Sequence, residues 1–367
     1  MAKAAPHPFS PGRSLGDLGG GLERARLSRI QYASCCIQSN MSGRDIIVVG
    51  SSAGGIQALT RLMTELPADL PATILVVQHV SPESPGLLPT ILDRAGSLPV
   101  SFAEDGKPFQ RRHVYVAPPD RHLLVDGHKL RVVRGPRENR HRPAIDPLFR
   151  SAAAAHGSRV IGVVLTGMLD DGAAGLWAIR THGGVTVVQD PAEARFPDMP
   201  LSALRLTDVD YCLTLTEIAQ LLSRLSREPR QNGQRHPADE KARIETEFAM
   251  GNRELEDMNA LGRPSTYACP SCGGSLWEIQ EGNFVRYRCH IGHAFQAPSL
   301  LLEQSRAIES ALEAAQRALE EKAAVLRRLS DRMDEASTKQ GSAFAERAHA
   351  ADESAGHVRA LVERLRE

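Results

Sequence analysis

The chain has 367 residues, and its 44 basic and 44 acidic side chains cancel to a formal net charge of zero. This length allows two domains, the charge balance gives no support for a nucleic-acid partner, and no apolar run approaches the roughly 20 residues of a membrane span. Because the N-terminus also lacks the apolar core of a secretory signal, we expect a cytoplasmic protein without membrane insertion.

Residues 1–43 are rich in glycine, proline, serine and arginine and show no sustained apolar periodicity, which is typical of a disordered leader. Met41 lies just before the first apolar run and is a second candidate for the start of translation. In that case the leader, with Cys35 and Cys36, is not translated. The sequence leaves both alternatives open.

Residues 44–228 alternate short apolar runs with helix-length amphipathic stretches. This alternation predicts an α/β fold, a doubly wound and mostly parallel sheet with helices on both faces. The predicted strands are 45–50, 73–78, 99–102, 113–116, 160–166, 185–189 and 210–213, with a hairpin formed by 122–125 and 129–133. The predicted helices are 55–65, 85–95, 147–156, 172–181 and 216–227.

The first strand ends in the small residues Gly50-Ser51-Ser52-Ala53-Gly54-Gly55. Four β-branched residues before them favour a strand buried on both faces, and the glycines allow a tight turn into a helix. At such a turn a serine hydroxyl and free helix N-terminal N–H groups face the same space. This stretch alone fits a nucleophilic serine with an oxyanion site, a phosphate-binding loop, or an ordinary turn.

Two further strands end in groups that can act with a serine. The strand 73–78 is followed by His79, and the strand 160–166 is followed by Asp170 and Asp171. Because the carboxyl ends of parallel strands share one crevice, a nucleophile, a base and an orienting acceptor would meet there. A turn serine, a hydrogen-bonded histidine and an N-cap aspartate are the plain alternatives, but they do not explain the shared edge.

The segment from Arg44 to about Arg224, roughly half of the chain, resembles the catalytic domain of the chemotaxis protein-glutamate methylesterases. The resemblance rests on several motifs in one order, which together are far more specific than the glycine-rich turn alone. They are Gly50-Ser51-Ser52-Ala53-Gly54-Gly55, Gln78-His79, Ala103-Glu104-Asp105-Gly106, Val116-Ala117-Pro118-Pro119-Asp120-Arg121-His122, Arg140-His141-Arg142-Pro143 with Asp146, Leu165-Thr166-Gly167-Met168, and Asp171-Gly172-Ala173.

The resemblance assigns roles at the strand ends. It implies Ser52 rather than Ser51 as nucleophile, His79 as general base and Asp171 rather than Asp170 as its orienting partner. It also implies that the backbone N–H groups of Ala53 and Met168 form the oxyanion hole. Arg140, His141 and Arg142 are expected at the rim, either to hold the substrate or as a solvated basic loop.

The resemblance also implies a function: hydrolysis of γ-glutamyl methyl esters on a chemoreceptor or related signalling protein, with glutamine deamidation as a second activity. It implies no cofactor for catalysis, and a methyltransferase or kinase of the same pathway as a further partner. Members of this family commonly carry a receiver domain before the esterase. About forty residues precede the first strand here, so we expect no receiver, and the mode of regulation is left open.

A signalling scaffold and nucleotide binding are alternatives to hydrolysis, and the sequence disfavours both. A non-catalytic signalling scaffold would keep the fold and dock partners through the C-terminal part, but the intact Ser52, His79 and Asp171 disfavour it. Nucleotide binding is disfavoured because the glycine-rich turn lacks the GxGxxG spacing and the chain has no P-loop.

A zinc-ribbon-like module is predicted at residues 263–298. Cys269-x-x-Cys272 and Cys289-x-x-x-His293 have the spacing of a structural zinc site, and His290 is a competing ligand disfavoured because adjacent residues seldom reach one ion. The module is too short for a core of its own, so we expect it to need zinc, whereas the esterase domain should work without it. One small basic cluster, Arg286, Arg288 and His290, is too little for a nucleic-acid footprint.

Beyond the module, apolar residues recur at helical spacing and then return, which predicts an α-helical hairpin or coiled coil. We expect these helices to provide self-association or a regulatory contact. The complete predicted organisation is a leader at 1–43, the catalytic domain at 44–228, a linker with a charged helix at 229–262, the zinc-ribbon-like module at 263–298 and amphipathic helices at 299–367.

Overall fold

The structure, a computed structural model, describes residues 43–229, 240–251, 255–282, 284–332 and 338–366. The predicted leader, apart from Gly43, and most of the polar start of the predicted linker lie outside the described residues. The described residues belong to one compact unit.

A seven-stranded parallel sheet forms the centre of the fold and confirms the predicted doubly wound architecture. The strands are β1 Ile46–Ser51, β2 Thr73–Gln78, β3 Val100–Phe102, β4 His113–Val116, β5 His122–Asp126, β6 Lys129–Val133, β7 Val160–Val164, β8 Val185–Gln189 and β9 Tyr211–Leu213. In space the strands follow the order β3-β4-β2-β1-β7-β8-β9, whereas β5 and β6 pair separately as an antiparallel hairpin.

Six helices cover the two faces of this sheet. They are α1 Gly55–Glu65, α2 Leu88–Ala95, α3 Ile145–His156, α4 Ala173–Thr181, α5 Asp198–Leu206 and α6 Leu215–Leu225. Helices α1, α2 and α6 pack on one face, and α3, α4 and α5 pack on the other with the β5–β6 hairpin. The sequence reasoning missed α5, because Pro197 and Pro200 suggest a loop, although proline is tolerated in the first turn of a helix.

The central strand explains where the site lies. In β1, Ile47 and Val49 belong to the core on one face and Ile46 and Val48 to the core on the other. Such a strand must lie in the middle of the sheet, and β1 indeed pairs with β2 on one side and β7 on the other. The three strand ends that carry candidate residues are therefore neighbours.

The C-terminal part begins with α7 Glu240–Met250 and α8 Leu255–Leu261 and continues as a four-stranded antiparallel sheet. Its strands are β10 Arg263–Ala268, β11 Ser275–Glu281, β12 Phe284–Cys289 and β13 Ala294–Gln296. Helix α7 packs against α3, and Ile244 and Phe248 of α7 share an apolar cluster with Trp277 and Ile279 of β11. The charged helix predicted in the linker is thus packed between α3 and the C-terminal sheet.

Two long helices, α9 Ala297–Asp331 and α10 Thr338–Arg366, confirm the predicted helical hairpin. They run antiparallel, because Arg366 pairs with Glu309 and Glu313 while Arg359 pairs with Glu320 at 2.7 Å. Met333, which the apolar pattern includes, lies outside the described residues. No helix in the described part of the chain combines the length and apolar character needed to cross a membrane.

Candidate active site

A tight turn after β1 presents Ser52. The backbone N–H of Ser52 donates to the carbonyl of Thr166 at 3.0 Å, which ties the turn to the end of β7. Gly54 then begins α1 with φ 76°, and a Cβ at this position would lie 3.2 Å from Thr166 Oγ1. Both the left-handed backbone and the close approach require glycine here.

Ser52, His79 and Asp171 form one continuous line of hydrogen bonds. Ser52 Oγ lies 3.1 Å from His79 Nδ1, and His79 Nε2 lies 2.8 Å from Asp171 Oδ2. Because an ionised carboxylate only accepts, the imidazole proton resides on Nε2 and the lone pair of Nδ1 faces the serine hydroxyl. This is the arrangement of a nucleophile, a general base and an orienting carboxylate.

The Asp171 carboxylate is surrounded by N–H donors. Oδ2 accepts from the backbone N–H of Ile145 at 2.7 Å as well as from His79, and Oδ1 accepts from Asn139 Nδ2 at 2.9 Å and the N–H of Asp146 at 3.2 Å. Burial alone would raise the pKa of Asp171, but the hydrogen bond and charge of His79, with the N–H groups of Ile145 and Asn139, hold it well below its ordinary value. Asp171 therefore stays ionised.

The neighbouring serine and aspartate point elsewhere. Ser51 is fully buried and its hydroxyl donates to Gln78 Oε1 at 2.7 Å. Asp170 accepts from the N–H of Ser299 in α9 at 3.3 Å and from the Ser299 hydroxyl. The structure thus brings Ser52 and Asp171 to His79, and it places Ser51 and Asp170 in other hydrogen-bond networks.

Ala53 and Met168 offer two free backbone donors. Within the described part of the chain, neither backbone N–H donates a hydrogen bond. Ala53 lines the same cleft as Ser52, just ahead of the N-terminus of α1, where the helix dipole favours negative charge. Met168 follows β7 and its side chain is half exposed.

An open cleft of about 470 Å³ lies beside the serine, lined among others by Ser52, Ala53 and His79. The three residues expected at the rim, Arg140, His141 and Arg142, all line it as well. The structure therefore places the predicted nucleophile, base and rim around one space.

The two predicted rim arginines are already paired. Arg140 Nε contacts Glu303 of α9 at 2.6 Å, and Arg142 donates to Asp120 at 2.8 Å and to the carbonyl of Gly135 at 2.7 Å. Arg137, which the sequence reasoning missed, is exposed, lines the cleft and has no ion pair among the described residues. Arg137 lies in the same basic segment, 137–142, as the three predicted rim residues, and this proximity could have identified it from the sequence.

His141 covers the imidazole of His79. The two rings stack with centroids 3.7 Å apart and an angle of 10° between their planes. Burial, followed by the charge of His79, lowers the pKa of His141 to about 3. His141 is therefore neutral at physiological pH and adds no charge beside the base.

Asn139 was not predicted as a site residue, yet it bridges two buried acids. Its Nδ2 donates to Asp171 Oδ1 at 2.9 Å and to Asp146 Oδ2 at 2.7 Å. Asp146 Oδ1 accepts from the N–H groups of Gly172 and Gly175 at 3.0 and 2.7 Å, at the start of α4. Burial, followed by the charge of Asp171, raises the pKa of Asp146 to about 8, far above its ordinary value.

The four predicted metal ligands form a cluster that could hold a metal ion. Cys269 Sγ and Cys289 Sγ lie 3.7 and 3.6 Å from His293 Nδ1, and Cys272 Sγ lies 3.6 Å from Cys289 Sγ. A tetrahedral ion with bonds of about 2.3 Å to sulfur and 2.0–2.1 Å to nitrogen separates its ligands by roughly 3.6–3.8 Å. The cluster fits zinc, whereas the competing His290 is exposed and lies outside it.

Comparisons with known proteins support the family resemblance that the sequence motifs indicate. The profile of the CheB methylesterase family matches residues 47–222. A Leptospira interrogans protein with the provisional name protein-glutamate methylesterase/protein-glutamine glutaminase is 42% identical over 182 residues, which cover 49% of this chain and 94% of the relative. The protein-glutamate methylesterase/protein-glutamine glutaminase of Escherichia coli is 35% identical over 191 residues, covering 51% of this chain and 54% of that one.

The crystal structure of the Thermotoga maritima CheB methylesterase catalytic domain is 34% identical, with a TM-score of 0.48 over 49% of this chain and 98% of that one. The Leptospira relative is matched over nearly its whole length, and the family profile spans the strands that carry Ser52, His79 and Asp171. The chain belongs to the CheB methylesterase family.

Proposed function

We propose that this chain is a protein-glutamate methylesterase that hydrolyses γ-glutamyl methyl esters on a methylated chemoreceptor or related signalling protein. The observation that carries the proposal is the line of hydrogen bonds from Ser52 through His79 to Asp171 at an open cleft. Membership of the CheB methylesterase family, whose curated relatives are named for this activity, supports it.

The proposed mechanism uses the observed hydrogen bonds in order. Asp171 holds the Nε2–H tautomer of His79, so Nδ1 takes the proton of Ser52 as its oxygen attacks the ester carbonyl. The backbone N–H groups of Ala53 and Met168 stabilise the oxyanion of the tetrahedral intermediate. His79 returns the proton to the leaving methanol, and water then resolves the acyl-enzyme by the same steps.

Deamidation of a glutamine side chain is proposed as a second activity, because an amide passes through the same tetrahedral intermediate and releases ammonia instead of methanol. The names of the curated relatives include this activity. Arg137 is proposed to contact a carboxylate of the substrate protein, since it is the exposed cation of the cleft.

The C-terminal cluster is proposed to hold a structural zinc ion through Cys269, Cys272, Cys289 and His293. Four protein ligands fill a tetrahedral site, so the ion has no position for substrate and does not contact the reacting groups. The predicted domain boundaries, the cytoplasmic location and self-association through α9 and α10 remain predictions.

The proposal is tested by the release of labelled methanol from methylated receptor membranes by the full-length protein. Ser52→Ala should lose several powers of ten in turnover, roughly 10⁶ in the best-studied serine protease. The matched variant Ser51→Ala should lose less than about tenfold, although the unpaired Gln78 oxygen should lower the free energy of unfolding by about 1–3 kcal/mol.

Equal and mild losses in the two variants would exclude the proposed nucleophile. A folded wild-type protein that hydrolyses neither methylated receptors nor a small ester would instead favour the non-catalytic scaffold.

A further inference from the structure

A tight turn at residues 138–141 touches two members of the proposed triad. The N–H of His141 donates to the carbonyl of Glu138 at 2.9 Å, and Asn139 and Arg140 between them both have positive φ, 45° and 74°. Two such residues are typical of a type I′ turn, and asparagine is among the non-glycine residues that tolerate the first position best. Asn139 reaches Asp171, while His141 stacks on His79.

Strand β13 of the C-terminal sheet holds this turn. The N–H of Asn139 donates to the carbonyl of Ala294 at 2.8 Å, and Asn139 Oδ1 accepts from the N–H of Gln296 at 3.2 Å. Rotating the Asn139 amide by 180° would set its NH₂ against the Gln296 donor and its oxygen against two carboxyl groups. The orientation of the group that holds Asp171 is therefore fixed by β13.

A second tie joins the loop after β7, which carries Asp171, to the end of β13 and the start of α9. Gln296 Nε2 donates to the carbonyl of Asp170 at 2.6 Å, and the Asp170 carboxylate accepts from Ser299. Asp170 directly precedes Asp171, and all of these side chains are buried. The backbone that carries the orienting carboxylate is thus attached to the C-terminal part at two points.

The metal cluster adjoins β13. The N–H of Cys289 donates to the carbonyl of His293 at 3.0 Å, which closes the turn between β12 and β13, and His293 directly precedes Ala294. The apolar cluster beside these ligands is small, with Leu276, Phe295 and Leu300 as its other buried members. An ion bound to the four ligands would therefore supply much of the order in this turn.

Buried charges join α3 and the turn at residues 138–141 to α7 and the C-terminal sheet. Glu138 pairs with Arg150 at 2.6 Å and with Arg288 at 3.0 Å, and Glu245 of α7 pairs with the same two arginines and with Arg286. All five side chains are at most 3% exposed. Because removing the partner of a buried charge is strongly destabilising, these contacts tie the esterase domain to the C-terminal module and argue against the expectation that it works without zinc.

We propose that the Cys₃His module is a metal-dependent part of the active site, in which zinc fixes β13 and β13 orients Asp171 and His79 through the amide of Asn139. Asn139 and Gln296 are positioning residues, because they act on the triad without touching the substrate. This inference rests on the proposed esterase function and assigns a role to the module within it.

The first test compares full-length protein with zinc, after chelation, and after zinc is restored, using a small ester. We expect chelation to lower kcat by about 10- to 100-fold, the range for losing one hydrogen bond to a charged group, with KM changed by less than about twofold. Zinc should restore kcat. Full kcat in the metal-free protein would overturn the proposal.

The second test asks whether the metal acts through Asn139. Asn139→Gly keeps the positive φ and the backbone N–H to Ala294 but removes the amide that holds Asp171. With zinc bound, this variant should lose about 10- to 100-fold in kcat, and chelation should lower kcat little further. The same loss on chelation in wild type and variant would contradict the role of Asn139.

Ligand variants provide the matched comparison. Cys269→Ser with Cys272→Ser should lose the metal and show the low kcat of the chelated protein. Cys212→Ser, an exposed cysteine of β9 outside the cluster, should keep one zinc ion and full kcat. A metal-free double variant with normal kcat would overturn the proposal.

A readout independent of catalysis is backbone amide hydrogen exchange. Chelation should speed exchange in residues 138–146, which include the N–H groups that contact Ala294 and Asp171, but not in β8. Unchanged exchange in 138–146 would overturn the coupling. If the zinc-loaded wild type hydrolyses no ester, the proposed function fails, whereas this exchange still decides whether the metal orders the turn.

Discussion

Replacing Asp171 by asparagine changes one atom in a site that contains only donors. Each carboxylate oxygen accepts two N–H groups: Oδ2 from His79 and Ile145, and Oδ1 from Asn139 and Asp146. The amide NH₂ of asparagine must replace one of these oxygens. If the NH₂ replaces Oδ1, it faces two buried donors. If it replaces Oδ2, it faces the Ile145 N–H and His79, whose Nε2 can accept once the imidazole proton moves to Nδ1.

The magnitude follows from these contacts. A buried donor without a partner costs about 1–3 kcal/mol, so Asp171→Asn should lower the free energy of unfolding by about 1–3 kcal/mol if the NH₂ faces His79 and by about 2–6 kcal/mol if it faces Asn139 and Asp146. An NH₂ turned toward His79 also moves the imidazole proton to Nδ1, which then cannot accept from Ser52. The corresponding change in another serine protease lowers kcat by about 10⁴, and we expect a similar loss here.

The assay is small-ester hydrolysis together with urea unfolding, with Asp170→Asn as the matched variant. Asp170 also accepts only from donors, those of Ser299, so its loss of stability should be comparable, but it does not contact His79. Its kcat should fall at least 100-fold less than that of Asp171→Asn. A larger loss in Asp170→Asn, or more than about a tenth of wild-type turnover in Asp171→Asn, would rule out Asp171 as the partner of His79.

Three further outcomes are expected. Arg137→Ala should raise KM for a methylated receptor by about tenfold without changing kcat for a small ester. The control variant Arg347→Ala, at an exposed position of α10, should change neither value. An unchanged KM in Arg137→Ala would show that Arg137 does not contact the substrate. Glu245→Gln leaves three buried arginines short of a partner charge and should cost about 3–5 kcal/mol in urea unfolding, so a neutral result would contradict the buried network. The pKa of Asp146 is near 8 in the folded protein, against an ordinary value of 3.8, so between these pH values the folded protein holds a proton that the unfolded chain lacks. The contribution of Asp146 to stability should therefore fall as pH rises from about 4 to 8. Unfolding at several pH values should show this slope in wild type but not in Asp146→Asn, and parallel curves would exclude the raised pKa.

The sheet could be predicted because its signals are local. The β-branched run of β1 is followed by glycines, and β2, β4 and β8 begin and end at the predicted residues. The location of the site could be predicted because polar residues follow three strands whose carboxyl ends share one edge of the sheet. The choice of Ser52 over Ser51 needed the family resemblance, and the structure supplies the reason, since Ser51 ends β1 with its side chain turned to Gln78.

The C-terminal contacts could not be predicted, because they join residues far apart in the chain. Asn139 and Gln296 are 157 positions apart, and no local pattern marks either as part of a site. From the sequence, Arg286 and Arg288 were interpreted as part of a small basic cluster, because arginine is mostly a surface residue. In the fold they are among the least exposed side chains, and their charges are matched by Glu245, Glu281 and Glu138.

The most direct test of the proposed mechanism is covalent labelling of the zinc-loaded full-length protein with a serine-directed phosphonate, followed by peptide mass spectrometry. If His79 activates Ser52, we expect one adduct per chain, on Ser52, which is lost in Ser52→Ala and strongly slowed in His79→Ala. An adduct on Ser51, or labelling that persists in Ser52→Ala, would contradict Ser52 as the nucleophile.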